Sequence, residues 1–351
     1  MITTIEKDIC CKKTKVILCK DCTRDIWIKG KGLIIRQKGV IRKFKLEKNM
    51  YEIIINGGEN DKTLDIALKI INILKDKGFT RNDSIIAIGG GTVSDLVGFV
   101  SSIYKRGINL VSIPTTLLAM VDASIGGKNS INLAGIKNVL GTFYQPSLVY
   151  IDLSYLATLP NKELLNGISE VIKYGITLDK DLFDYLAQHR EEVMARKEED
   201  LKYVIHRSVL DKMNIVMQDP FESKGIRIVL NFGHTIAHGI EASSNFSIPH
   251  GMAVAIGLVV ETEIAEDLGL VNHSITSLVK TLVKSYALPT SFSALNIDLK
   301  KVCDAIEMDK KRIDEFVYMP FPIRIGEWIA KKVPIQYIKT FLSEVYRNGV
   351  D

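Results

Sequence analysis

The apolar positions of this chain change their period near its middle. Between residues 15 and 152, short β-rich runs (TKVILCK, GLIIRQ, YEIIIN, SIIAIGG, NLVSIP and SLVYID) alternate with helical stretches, of which 61–77 and 92–104 are the clearest. That alternation predicts parallel strands joined by crossover helices, a doubly wound α/β sheet. From about residue 154 the pattern turns helical, with segments at 161–175, 180–194, 197–218, 226–244, 249–269, 273–287 and 334–348. One hairpin-like run, EFVYMPFPIRIGE, interrupts it. The change of period predicts two domains, 1–155 (α/β) and 156–351 (all-α).

Within the helical half, IRIVLNFGHTIAHGIE (226–241) stands out. Read as one helix, it places Arg227, Asn231, His234, His238 and Glu241 at offsets of 0, 4, 7, 11 and 14. At about 100° per residue these share one narrow face, while Ile228, Val229, Leu230, Phe232, Ile236 and Ile240 fill most of the rest. A polar stripe on a largely buried helix has to be satisfied. A metal with an anionic ligand would do so; a solvated face or carbonyl-bonded core histidines are the plainer alternatives. Three of the six histidines, His234, His238 and His250, fall in this short stretch. Taken locally, His234 and His238 form a ligand pair one turn apart, and two histidines with a carboxylate leave a position open for substrate.

Composition narrows the function classes. The 351 residues balance 46 basic against 41 acidic side chains, a net charge of +5, with no dense basic patch interleaved with aromatics. Nucleic acid is therefore not an expected partner. MITTIEKD carries no apolar leader region and no apolar run reaches membrane-spanning length, so a cytoplasmic location is expected. The lysine-rich stretch 29–48 reads as a basic β-hairpin. Of five cysteines, Cys19 and Cys22 form a CxxC, expected to be ordinary reduced cysteines in a βα turn.

Glycines and lysines supply the second constellation. SIIAIGGGTVSDLVGF is strand, glycine turn, helix, in which Gly89, Gly90 and Gly91 would let a backbone approach a pyrophosphate at the helix N-terminus; a plain tight turn reads equally well. Pro114-Thr115-Thr116 begins a further helix, and Gly126-Gly127-Lys128 forms a turn bearing a cation. In 158–175, Glu170 and Lys173 sit at i, i+3 on one face, a surface ion pair or the missing metal carboxylate. Lys128, Lys137, Lys173, Lys212 and Arg227 would suit a substrate carrying phosphate and carboxylate.

Taken together, GGGTVSDLVGF, YKRG, PTTLLAMVDASIGGK, KNVLGTFYQP, LATLP, SEVIKYG, VLNFGHTIAH and PHGMAVAIG resemble 3-dehydroquinate synthase, in that family's order and spacing. The resemblance is dense over about 59–260. It implies an NAD-binding, Rossmann-like doubly wound α/β domain followed by an all-α metal-binding domain, usually a homodimer. The implied reaction converts 3-deoxy-D-arabino-heptulosonate 7-phosphate to 3-dehydroquinate and phosphate, in the shikimate route to aromatic amino acids. By the family pattern Glu170, His234 and His250 are the ligands of zinc, or of cobalt, and His238 becomes a substrate-side proton-transfer group. Substrate is assigned Asp122, Lys128, Asn138, Lys173, Lys212, Arg227, Asn231, and the Asp309-Lys310-Lys311 run; Arg106 is matched to a phosphate-reaching arginine that acts across the dimer. NAD is assigned Gly90, Gly91, Asp95, Thr115, Thr116, Lys137, Thr158 and Leu159, with Glu59 and Lys62 nearby and Asp21 as the ribose-binding acid.

The chain departs from the pattern at Ser94, Ile136 and Ala237, where glycines are usual, and at Met252, where glutamate is common. An extra residue in 219–227 leaves Ser223 at a glutamate position, which Glu222 fills if the loop bulges. Competing readings are another sugar phosphate cyclase of the same superfamily, an NAD- and metal-dependent polyol dehydrogenase, and a degenerate binding subunit. Retention of Arg227, Asn231, the three ligands and the lysines favours the synthase.

Overall fold

The computed structural model describes residues 2–9, 12–25, 30–310 and 315–346. The chain divides into two compact units: Met1–Leu164 with Leu201–Ser223, and Leu165–Asp200 with Lys224–Asp351. The units are interleaved in sequence, so a single cut at 155 does not describe them. The change of pattern there marks only the end of the last sheet strand.

The first unit is built on a sheet of seven strands. β1 (Thr3–Ile9) and β2 (Lys12–Cys19) form an antiparallel hairpin at one edge. β3 (Gly32–Gln37), β4 (Met50–Ile55), β5 (Ser84–Gly89) and β6 (Asn109–Pro114) follow, then an antiparallel pair, β7 (Lys128–Leu133) and β8 (Ile136–Phe143), and finally β9 (Leu148–Asp152). The sheet order is β1-β2-β9-β6-β5-β3-β4, parallel everywhere except β1–β2. α1 (Leu64–Asp76) and α2 (Gly91–Ile103) pack Ile70, Leu74, Val93, Leu96 and Val97 onto Leu33, Ile35, Ile85 and Ala87 of one sheet face. Every residue of β5 is buried, as expected of a central parallel strand.

Two expectations fail in this unit. Residues 29–48 are not a hairpin: β3 pairs in parallel with both β4 and β5, and 38–48 is an irregular segment. Phe44 of that segment is buried, and Lys43 stacks 4.7 Å from the Tyr155 ring. The turn expected at 126–128 is present, with Gly126 and Gly127 both at positive φ, and it leads into the β7–β8 hairpin. Cys19 and Cys22 are joined as a disulfide rather than reduced.

The second unit begins in α3 (Asn161–Thr177), followed by α4 (Lys180–Gln188) and α5 (Arg190–Met194). α6 (Glu198–Gln218) returns the chain to the first unit from Leu201 onward. The remainder is α7 (His234–Ser243), α8 (His250–Asp267), α9 (His273–Ser285), α10 (Leu299–Lys310), the hairpin β10 (Phe316–Arg324)–β11 (Glu327–Pro334), and α11 (Ile335–Val345). α10 was not anticipated, because its charged residues break up the apolar stripe. α8 is buried around nearly its whole circumference and lies between α7 and α9. Among the described residues no helix is long and apolar enough to cross a membrane.

The predicted helix 226–244 is two pieces. Arg227–Asn231 forms a 3-10 turn, and α7 starts afresh at His234 after Gly233, whose φ is +81°. The glycine packs directly on α8: a Cβ at Gly257 would lie 1.9 Å from the Gly233 carbonyl oxygen. The polar residues of 227–241 therefore do not share one helical face.

Candidate active site

In the second unit Glu170, His234 and His250 come together, each offering one ligand atom, all within 4.8 Å of one another. α3 carries Glu170, fully buried; His234 and His250 are the first residues of α7 and α8. His234 Nδ1 donates to the Phe232 carbonyl (3.0 Å), leaving Nε2 facing Glu170 Oε1 at 3.5 Å. His250 is arranged alike, Nδ1 against Glu241 Oε1 (3.3 Å) and Nε2 against the same Glu170 oxygen (3.2 Å). Two imidazoles anchored through Nδ1 and aimed through Nε2 at one carboxylate are the donor set of a divalent cation, with the outer partners already in place. Burial, helped by the Lys173 charge, pulls the His234 pKa to about 3, so this ring is neutral, as a ligand must be. At His250 burial acts downward, but hydrogen bonds to Glu170 and Glu241 prevail and hold its pKa near 10.

The surrounding residues divide cleanly. Lys173 is buried, pairs with Glu170 and donates to the Leu230 carbonyl at 2.7 Å. Arg227 is buried at 2% exposure; Asn231 and His238 are exposed. The His238 ring lies 5.6 Å from that of His234, yet it is not one of the three converging groups. The local pairing of His234 with His238 thus gives way to the triad. The side chains of Asp309 and Lys310, and all of Lys311, lie outside the described residues.

Sequence reasoning missed one structural carboxylate here. Glu261 of α8, fully buried, accepts from the N–H groups of Gly233 (2.8 Å), Thr235 (2.9 Å) and Ile236 (3.2 Å). It caps the helix that begins with His234. Its position directly after the apolar run MAVAIGLVV was the available signal.

The first unit gathers the other set around the glycine turn. Gly90 is the N-cap of α2, and a Cβ on Gly91 would lie 3.0 Å from Ala123. Bare backbone at the start of a 13-residue helix fits a pyrophosphate. Thr115 N–H donates to the Gly89 carbonyl, and Thr116 Oγ1 accepts from Ala119 in the short helical turn that follows. Buried Lys62 bridges Asp95 (2.7 Å) and Asn138, whose Oδ1 also accepts from Ser130. Burial pushes the Asp95 carboxyl up to about 6, against the pull of Lys62. Asn132 donates to Glu59 at 2.8 Å. Lys212 donates to both the carbonyl and the carboxylate of Asp122 (2.6 and 2.7 Å). Glu222 has φ +57°, and its carboxylate reaches Lys128 at 2.7 Å.

Other predicted residues stand apart. Lys137 is half-buried on β8, and Thr158 and Leu159 end the turn after β9. Arg106 is exposed beyond the C-terminal end of α2, roughly 20 Å along the helix from the glycine turn. Asp21 follows β2, which β9 and β6 separate from the glycine strand β5. Its N–H donates to Asp152, and its carboxylate faces Lys43 at 3.9 Å. The strand beside β5 is β3, and its last residue, Gln37, accepts the Gly90 N–H at 3.0 Å. Strand periodicity alone could not reveal this neighbour, because the pairing is non-local.

Comparison with known proteins agrees with the geometry. The family model for the 3-dehydroquinate synthase N-terminal region matches residues 52–166, and that for the C-terminal region matches 167–312. The 3-dehydroquinate synthase of Sulfurisphaera tokodaii is 51% identical over 302 residues, 86% of each chain. That of Saccharolobus solfataricus is 45% identical over 351 residues, 98% of this chain and 99% of the relative. Among solved structures, 2-epi-5-epi-valiolone synthase from Streptomyces hygroscopicus subsp. jinggangensis, with NAD+ and Zn2+ bound, superimposes with a TM-score of 0.83 at 25% identity, covering 94% of this chain and 97% of that one. Matched through both halves and by relatives across its length, the chain is an enzyme of the 3-dehydroquinate synthase family.

Proposed function

We propose that the chain converts 3-deoxy-D-arabino-heptulosonate 7-phosphate into 3-dehydroquinate and phosphate, as a lyase of the shikimate route. The observation that carries this is the triad Glu170, His234 and His250, with both imidazoles anchored at Nδ1 and turned to one carboxylate oxygen. Those residues would hold a divalent metal, zinc or in its place cobalt, and the glycine turn with Asp95, Lys62 and Thr115 would hold NAD. Bound there, NAD would supply reversible hydride chemistry and the metal would supply Lewis acidity.

The chain's own groups bind and orient. The substrate carries a phosphate and a carboxylate, and the family resemblance assigns their recognition to the cations Lys128, Lys173, Lys212 and Arg227. Lys173 keeps its ammonium against Glu170 and the Leu230 carbonyl, so its position is fixed before any ligand arrives. His238, exposed and ring to ring with His234, is the residue to which the family resemblance assigns proton transfer on the substrate side. Asp122 holds Lys212 in the same preorganised way. A homodimer in the cytoplasm completes the reading, the dimer resting on the family resemblance.

The test is phosphate release from the heptulosonate phosphate with NAD and zinc present, with product identification and a chelated control. Metal-dependent release with dehydroquinate formed and no net NADH is expected. Turnover of a different sugar phosphate, or net reduction of NAD with a polyol, would overturn the reading in favour of a sister cyclase or a dehydrogenase.

A further inference from the structure

The strand beside a glycine-bearing strand in a doubly wound domain usually ends in an acid, which accepts the ribose 2′-hydroxyl and repels a 2′-phosphate. Here that strand is β3, and it ends in a neutral amide. The parallel register pairs Ile35 with Ala87 and Arg36 with Ile88, so Gln37 comes level with the glycine turn. Its Oε1 accepts the Gly90 N–H at 3.0 Å. A Cβ at Gly57, where φ is +79°, would lie 2.7 Å from the Gln37 side-chain carbon, and a Cβ at Gly89 would lie 3.0 Å from its Oε1. The amide is thus wedged between two glycine backbones, a built position rather than a loose surface residue.

The charges around it point the same way. Lys38 is exposed in the turn that Val40 closes on the Gln37 carbonyl (3.1 Å). Arg36 and Arg42 share the single carboxylate of Glu52. The two acids that follow β4 are engaged elsewhere: Asp61 accepts the Gly57 N–H at 2.8 Å, and Glu59 takes Asn132. Asp21, the acid read from the sequence, lies beyond β9 and β6 and faces Lys43.

We infer that Gln37, with Lys38, lets this glycine turn accept a 2′-phosphorylated nicotinamide dinucleotide, NADP+, on terms comparable with NAD+. The inference rests on the reading that the turn holds a nicotinamide dinucleotide at all. Calorimetric binding of NAD+ and NADP+ to the full-length protein tests it, using the wild type, Gln37→Glu and Lys38→Ala. Glutamate keeps the shape and an oxygen for the Gly90 N–H while restoring the charge. The two wild-type Kd values should agree within about tenfold, and Gln37→Glu should raise that for NADP+ at least about tenfold while leaving NAD+ nearly unchanged. Lys38→Ala should weaken NADP+ alone, by less. A wild-type preference for NAD+ of about 100-fold or more, or a Gln37→Glu variant with an unaltered ratio, overturns the inference. Failure to bind either dinucleotide overturns the underlying reading together with it, a separately recognisable result.

Discussion

Glu261 Oε1 accepts the backbone N–H of Thr235 at 2.9 Å, joining the middle of α8 to the first turn of α7. Together with its bonds to Gly233 and Ile236, this one buried carboxylate satisfies three N–H groups that a helix start leaves open. It also fixes the turn that aims His234. Glu261→Gln keeps the volume but removes the charge and one acceptor, so a buried N–H loses its partner. Stability should fall by about 1–3 kcal/mol. Metal affinity should fall about 10–100-fold, as when an outer-shell partner of a ligand is lost. Urea unfolding and metal titration read the two effects separately; an unchanged metal affinity would mean that His234 is aimed without Glu261.

A glycine in mid-helix normally weakens it, and alanine is better by about 1 kcal/mol. Gly257 should behave in the opposite way. Its Cβ would lie 1.9 Å from the Gly233 carbonyl oxygen, a backbone atom that can move only if α7 moves. Gly257→Ala should therefore lower stability by about 1–3 kcal/mol or more, as overpacking does. Thermal unfolding checks this, and a raised Tm would show that the two helices part freely.

Much of the architecture was legible because it is local. β5, the glycine turn and α2 follow one another within twenty residues, and periodicity finds all three. Glu170, His234 and His250 were recoverable from motif order, although spacing alone favoured His238 over His250. What stayed hidden depends on contacts distant in sequence. A left-handed Gly233 looks like any glycine until α8 is seen packed on it. Whether 29–48 folds on itself or lays β3 beside β5 depends on a partner fifty residues away. Gln37 reaches the glycine turn through that same non-local pairing, which no local pattern reveals.

Asp95 gives the fold a pH dependence of predictable sign. Its carboxyl is raised from an ordinary 3.8 to about 6, chiefly by burial. The folded protein therefore holds this proton more tightly than the unfolded chain. The stability so contributed is full below about 4 and is lost as pH rises through about 6. Asp95→Asn has no proton to lose. The difference in Tm, variant minus wild type, should accordingly be lowest near pH 4 and should climb until about pH 7. A difference that stays flat over that range would mean that Lys62 keeps the carboxylate ionised throughout.

His250 and His238 separate the triad from the helical pair. His250 contributes one of the three converging ligand atoms and opens α8 against Glu170, whereas His238 is not among the three and faces His234 ring to ring. Removing a ligand should cost more than the 10–100-fold seen for outer partners, so His250→Ala should lose at least about 100-fold in metal affinity. His238→Ala should purify with its full metal complement. If this ring exchanges the proton, its loss should slow phosphate release by about 10²–10⁴-fold, the usual contribution of such a group. Metal content by mass spectrometry, set beside phosphate release, distinguishes the two variants without relying on activity alone. Loss of metal from His238→Ala with retention in His250→Ala would restore the i, i+4 pair. The triad would then have to be abandoned.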